Sequence, residues 1–541
     1  MRGATSAKWA AAGIAVAMAA TACGGGDDGG DGDKAASKPQ VTMYSGEPQH
    51  GLIPSNTYES EGTQVIQALF TGLVNYEPKT QEVQLAMAES IESPDSKVWT
   101  IKLKDGYTFH NGEKVTAKSY VDAWNWAANQ ENAQETNPLF AKVDGYKDLN
   151  PGEKKKPTAK TMKGLKVVDD KTFTVTLSAR FSQFKTMLGF NPFMPLPQAF
   201  FKDPKAFEEA PIGNGLFKMS GKFEHNKQIK TVANKKHPDA SKLNISGVTF
   251  KIFSDLEAGY RELQDGNVDI MDTIPVSALE TADQDLGDRY LTGPQASVAY
   301  VGFDNKTLKA TDADTRKAIS MAIDRKTIVD KIYAGSREVA DDFVNNGVPG
   351  YRKGLCKACT YDPKGAKKLY EASKGLPGNS LTLAYNADGD HAPWIKAVAN
   401  QLEENLDIKV KVKPYEQFQG ILNDLGDKKY EGAFRMGWIQ DYPSIENWLR
   451  PLFSEEAITN GSNYSGYVNP QFEKLLDEAD QSESDDAALK KYQEADDVLI
   501  KDMPYIPIYN YSKIGAVSEE LSPIVMDPQN QVDWTSVKPA S

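Results

Sequence analysis

From Lys97 to Gly112 the chain reads KVWTIKLKDGYTFHNG, and apolar and polar positions alternate. Trp99, Ile101 and Leu103 fall on one face, and Val98, Thr100 and Lys102 on the other, the period of a half-buried strand. Lys104-Asp105-Gly106 and His110-Asn111-Gly112 carry turn residues. Thr116 is placed to cap a helix over AKSYVDAWNWAANQ. A second strand pair is expected in GLKVVDDKTFTVTLS, turned at Asp169-Asp170, and a third around KQIKTVANKK. From Ala310 the period lengthens. Amphipathic helices are expected over DTRKAISMAIDRKTIVDKIYAG, DPKGAKKLYEAS, HAPWIKAVANQLEENL and NPQFEKLLDEADQS. Short apolar strands, NSLTLAYN, IKVKVKPY and EGAFRMGW, separate them. A strand-rich part thus precedes a helix-rich α/β part, without an internal repeat.

At 541 residues the chain exceeds one ordinary core, so two or three lobes are expected. Its 40% hydrophobic and 25% charged residues fit a globular protein, and a net charge of −13 opposes nucleic-acid binding. The N-terminus has a different texture. Arg2 and Lys8 precede the apolar run WAAAGIAVAMAATA, which ends in small residues just before Cys23. This resembles a bacterial lipoprotein signal, with Ala20 where leucine is usual; an ordinary secretory signal ending near a cysteine is the alternative. GGGDDGGDGDKAASKP then reads as a flexible, self-repelling tether. The remaining cysteines, Cys356 and Cys359, form a lone CxxC, too few thiols for a tetrahedral zinc site. In an oxidising compartment they are expected to form a small structural disulfide.

Enzyme signatures are scarce. HExxH, GxSxG and GxxxxGK[ST] are absent, and His50, His110, His225, His237 and His391 are not spaced as paired ligands on a helix. Ser182-Gln183-Phe184-Lys185 matches SxxK, but no KTG follows. Asp441, in GWIQDYPSIENW, is the more informative residue: a carboxylate among Trp438, Ile439, Tyr442 and Trp448. Either it caps a local turn or it faces a site whose partner is a cation.

Seven segments carry a further signal when taken in order: AESIESPDSKVWTIKLKDGYTFHNGEKVTAKSYVDAW (88–124), GNGLF (213–217), DTRKAISMAIDRKTIV (314–329), YDPKGAKKLYEA (361–372), GWIQDYP (437–443), YVNPQFEKLLDEA (467–479) and MPYIPIYNY (503–511). As a set they resemble the bacterial extracellular solute-binding proteins of family 5, which include oligopeptide- and dipeptide-binding proteins. The resemblance implies an α/β fold of the two-lobed, class II periplasmic-binding-protein type, with an extra α+β domain inserted in the first lobe. On that reading residues 1–22 are the signal and 23–40 the tether. The first lobe takes 41–76, 206–304 and 513–541, the insert 77–205 and the second lobe 305–512.

The resemblance also implies capture of a small peptide, delivery to an ABC-type permease, lipidation at Cys23, a monomer on the outer face of the membrane, and neither cofactor nor metal. Asp441 would receive the ligand's ammonium. Gly437, Trp438 and Ile439 would pair with its backbone as a strand edge. Arg435 and His391 align with partners of a peptide carboxylate, though a structural arginine and a capping or surface histidine remain alternatives. Tyr58, Ser60, Asp272, Thr273 and Tyr511 line up with ligand-facing segments. Gln417 stands about where oligopeptide binders carry a tryptophan, which would alter a side-chain pocket. Other solutes of the family, metal chelates or oligosaccharides, and a surface chaperone role are the competing readings.

Cys23→Ser should move the protein from the membrane fraction to the soluble fraction or medium. A single acyl chain binds membranes only marginally, ~10⁴ M⁻¹, so retention depends on the diacylglyceryl group. Fractionation that finds the normally cleaved Ser variant still on membranes would remove Cys23 as the anchor.

Overall fold

The computed structural model describes residues 38–540 apart from Glu153, Lys154, Asp388 and Asp390; Cys23, the signal and the tether as far as Ser37 lie outside them. An eleven-stranded mixed sheet runs through the molecule. Its order is Lys409–Tyr415, Ser380–Asn386, Ala433–Ile439, Tyr290–Phe303, Tyr505–Val517, Ile270–Met271, Gln40–Ser45, Gly247–Ile252, Gln228–Ala233 and Phe217–Met219. Glu338–Val339 pairs with Tyr505–Val517 off this path. Runs of parallel pairs are separated by runs of antiparallel ones, as in a fold built partly from crossover helices and partly from hairpins.

Two strands are unusually long, Tyr290–Phe303 with 14 residues and Tyr505–Val517 with 13. They pair with each other almost throughout, and the register shifts between Pro294 and Val298 and again between Ala299 and Tyr300. One end of the pair abuts Ile270–Met271 and the other Ala433–Ile439. Two hydrophobic cores divide along the same line. One contains Met43, Val65, Trp124, Phe173, Phe250 and Trp534. The other contains Val301, Ile328, Trp394, Trp448, Tyr492 and Tyr509. Within the first, a four-stranded antiparallel sheet, Ala88–Glu92, Val98–Leu103, Thr172–Thr176 and Leu165–Val167, packs on the helix Ala117–Ala128. Trp124 meets Phe173 and Phe193 edge-on at 5.6 and 5.3 Å.

The alternating segments form the strands their period predicts. The helices Pro363–Ala372, Ala392–Leu406 and Pro470–Asp480 likewise lie where the apolar spacing puts them. At Thr116 the helix does begin, with Ser119 Oγ accepting the Thr116 N–H at 3.2 Å. Two features differ from expectation. The long helix expected from Asp314 onward is two, Ala313–Met321 and Arg325–Ile332. Asp324 caps the second by accepting from Thr327 N–H at 3.0 Å. Arg325 turns inward and occupies the carbonyls of Ser320 and Ile323 that a continuing helix would need. The periodicity also did not single out Asp485–Asp502, an 18-residue helix that packs against Pro470–Asp480.

Arg325 is a buried guanidinium with its donors shared among five acceptors. They are the carbonyls of Pro507, Ser320, Ile323 and Cys359 and the Ser320 hydroxyl, at 2.7–3.3 Å. It joins the helix pair, the long Tyr505–Val517 strand and the loop in which Cys356 and Cys359 are disulfide-bonded. Burial pushes its pKa down to about 9, so it stays charged at neutral pH. Arg325→Met should destabilise the fold by about 3 kcal/mol or more, because buried acceptors left unpaired cost ~1–3 kcal/mol each. Chemical denaturation measures this; a loss within ~0.5 kcal/mol would show that water replaces the guanidinium.

Candidate functional site

The site grows from the strand Ala433–Ile439. Along its whole length it pairs with Tyr290–Phe303, from Phe303 opposite Ala433 to Ser297 opposite Ile439. On its other edge Ser380–Asn386 pairs only with Ala433 and Phe434. From Arg435 to Ile439 that edge therefore has no ladder partner among the described residues, leaving backbone groups for an added strand. Gly437 narrows the approach least: a Cβ there would lie 3.2 Å from Val298 O and 3.5 Å from Arg435 Nη2.

Past Ile439 the chain bends and crosses toward the other core. Gln440 donates to Gln81, whose own amide donates to Gly347 O at 2.9 Å. Tyr442 is buried in the first core, while Ile445 and Trp448 belong to the second. Asp441, between them, is half-buried at the wall of a cavity of about 640 Å³. Tyr58, Ser60, Tyr76 and Ile439 line the same cavity, with Asp527, Lys104 and Lys242. Both hydrogen bonds of Asp441 go to Asn447: its N–H donates to Oδ1 at 2.8 Å, and its Oδ2 accepts from Nδ2 at 2.9 Å. No cation among the described residues offsets its charge. Burial therefore pushes its pKa up to about 7, aided by the nearby Glu446 carboxylate and opposed by the Asn447 hydrogen bond. Both readings of Asp441 thus have a physical counterpart: it takes part in a local turn, and it presents an uncompensated carboxylate to a cavity.

A second cluster lies at the other end of the open edge. Arg435 is buried; Nη1 donates to Asn386 Oδ1 at 3.1 Å and Nη2 to the Tyr511 hydroxyl at 3.2 Å. Tyr511 feels two opposing effects. Burial raises its pKa, but the Arg435 charge, a Tyr509 hydrogen bond and the Arg337 charge outweigh it, and the net shift is downward. His391 occupies the N-cap of the helix Ala392–Leu406 without a side-chain capping bond. It is half-buried rather than on the open surface, and burial with the Arg435 charge pushes its pKa well below the ordinary value, so it is neutral. Gln417 is exposed, and the aromatic ring beside Arg435 is that of Phe418, 6.0 Å from the guanidinium.

The other expected residues are placed separately. Asp272 accepts from Gln64 Nε2 at 2.7 Å, and burial pushes its pKa up to about 6. Thr273 bridges to Ile514. Neither lines the cavity at Asp441. Trp438 packs on the second core with its indole N–H buried and unpaired. Tyr76, Gln440 and Asn447 were not foreseen. Tyr76 donates to Thr186 O at 2.7 Å, in a position open only because residue 189 is glycine, where a Cβ would fall 2.4 Å from the ring. Nothing in their local sequence distinguishes these three from ordinary polar or packing residues.

Comparisons with known proteins agree on the relationship. The chain is 27% identical over 536 residues to the oligopeptide-binding protein OppA of Bacillus subtilis, covering 95% of both chains. Its fold resembles that of the Escherichia coli murein tripeptide binding protein MppA, with TM-score 0.82, 23% identity and 94% and 99% of the two chains covered. It also resembles Haemophilus influenzae OppA in complex with RPPGFSPFR, with TM-score 0.80, 22% identity and coverage of 93% and 99%. Residues 82–460 match the family described as bacterial extracellular solute-binding proteins, family 5 Middle. With that match across most of the chain, the protein belongs to the bacterial extracellular solute-binding proteins of family 5.

Proposed function

We propose that this chain captures short peptides between its two halves and delivers them to an ABC-type permease for import. The observation that carries the reading is a pair of opposite, uncompensated charges on one segment, Asp441 and Arg435, flanking an open strand edge. An extended peptide has the complementary layout: an ammonium, a row of backbone donors and acceptors, and a carboxylate. Asp441 takes the ammonium, Gly437 to Ile439 take the backbone, and Arg435 with Tyr511 takes the carboxylate, with His391 beside them. The six residue-to-residue steps from Arg435 to Asp441 span at most ~20 Å at ~3.3 Å each, so about three to five ligand residues fit between the charges. Oligosaccharides and metal chelates lack such a pair of termini. The oligopeptide-binding relative and the peptide complex support the same class of ligand.

In this reading the halves are lobes with the boundaries given above, the insert 77–205 belongs to the first, and the long strands form the hinge between them. The mature chain is held at the outer face of the membrane by lipid on Cys23. No helix among the described residues is long and apolar enough to cross a membrane.

Contacts such as Lys142 with Asp480 at 2.6 Å and Gln183 with Asp485 at 3.3 Å join the part packed on the first core to the part packed on the second. A ligand touching both lobes favours the state in which such contacts form. Small-angle scattering should therefore show a smaller radius of gyration at saturating peptide; an unchanged profile would mean a rigid receptor.

Asp441→Asn keeps the shape and removes the ammonium's partner. Breaking a buried ion pair costs ~3–5 kcal/mol, or roughly 10² to 10³·⁵ in affinity. An N-acetylated peptide should bind the normal protein poorly and lose far less on the substitution. The acid limb follows from the pKa of Asp441. Without ligand its carboxyl is half-protonated at about 7. The bound ammonium requires the ionised form, so affinity is fully expressed above that value and falls by up to tenfold per unit as pH drops below it. Above pH ~8 the ligand's own amine loses its proton, so affinity peaks between these limits. Calorimetry at pH 5 to 8 with both proteins and both peptides tests this. Equal affinity of free and acetylated peptide, or a flat profile that is the same in the Asn variant, would return Asp441 to a turn role and reopen the other solutes.

A further inference from the structure

The cationic end of the site holds one charge more than a peptide carboxylate needs. Arg337, in the link between the helix Arg325–Ile332 and the strand Glu338–Val339, is 7% exposed. Its Nη1 donates to Ser512 O at 2.8 Å, and Nε is buried with no acceptor. The guanidinium lies 4.9 Å from the Tyr511 ring centre and 5.4 Å from that of Tyr333. Arg435 approaches the same Tyr511 at its hydroxyl, and its Nε is also buried and unpaired. No carboxylate among the described residues forms an ion pair with either arginine. His391 is neutral and adds no further positive charge.

Other buried arginines of this protein are satisfied differently. Arg316 and Arg325 give their donors to carbonyls and hydroxyls in closed networks, and Arg450 is paired with Glu446 at 3.1 Å and Asp480 at 2.7 Å. Two like charges facing one phenol, each with an unused buried donor, repel each other and are costly to desolvate. A dianionic partner relieves both costs, and guanidinium forks suit carboxylates geometrically. Resting on the peptide reading above, we propose that Arg337 and Arg435 together form a receptor around Tyr511 that selects peptides whose C-terminal residue is acidic. Arg435 holds the main-chain carboxylate and Arg337, across the ring, the side-chain carboxylate of the same residue.

The test uses tri-, tetra- and penta-alanine and the same peptides ending in glutamate, measured by calorimetry at pH 7.5. The normal protein should bind the glutamate-ended peptide of its preferred length about tenfold or more tightly than the alanine one, the scale of a charged hydrogen-bonded contact. Moving the glutamate to the first position should abolish the gain. Arg337→Gln should bring the two series to parity while leaving the alanine series within about twofold, and Arg337→Lys should keep part of the preference. Equal affinity for both series in the normal protein overturns the inference and leaves the peptide reading standing, without recourse to any variant. Equal weakening of both series by Arg337→Gln also overturns it, since that is the signature of a brace for Ser512. Failure of every peptide to bind overturns the peptide reading itself, and this inference with it.

Discussion

The pairing of Tyr290–Phe303 with Tyr505–Val517 is the constraint on which the rest of this molecule depends. These are the strands that continue from one core into the other, and the register breaks between Pro294 and Val298 mark where the pair changes sheet partners. An uninterrupted ladder would make one rigid slab. A bulge leaves residues unpaired and bends the strand locally, which lets each end follow its own core. The site residues hang from this pair: Ala433–Ile439 is laid against one strand, and Tyr511 belongs to the other at the break.

From that geometry follows the electrostatic character of the cleft. Asp441 emerges from the end of Ala433–Ile439 and shares its cavity wall with Tyr76, which packs against the other core. Among the described residues no cation offsets its charge, so burial holds its pKa up. At the other end Arg435 and Arg337 each have a buried donor without an acceptor. On the reading proposed above, a zwitterion laid along the open edge would meet both, and closure would strengthen each pair by excluding water.

Burial alone does not identify a functional charge. Arg325 is more deeply buried than Arg435, yet it closes a network of carbonyls and holds helix, strand and disulfide loop together. Asp480 is buried too, but Arg450 and Lys142 neutralise it and hold its pKa down against the effect of burial. What separates the candidate site from these is incomplete satisfaction. A donor without an acceptor, or a carboxylate without a cation, is costly to bury and marks a place that a ligand can complete.

Much of this was legible in the chain itself. Alternation set the strand Val98–Leu103, the 3.6-residue period set Ala392–Leu406, and the segment motifs identified the family and marked Asp441 and Arg435. Such features survive in one dimension because they depend on neighbours a few residues away. The split helix at Asp324 did not, since it depends on Arg325 reaching Pro507 and Cys359. Tyr76, Gln440 and Arg337 were equally silent, because their roles come from partners far along the chain: Thr186, Gln81 and Tyr511. The sequence by itself determined the local elements and the charges available to a ligand. Only the tertiary structure decided which charges remain unpaired, because pairing is settled by what folding brings within about 4 Å of each one.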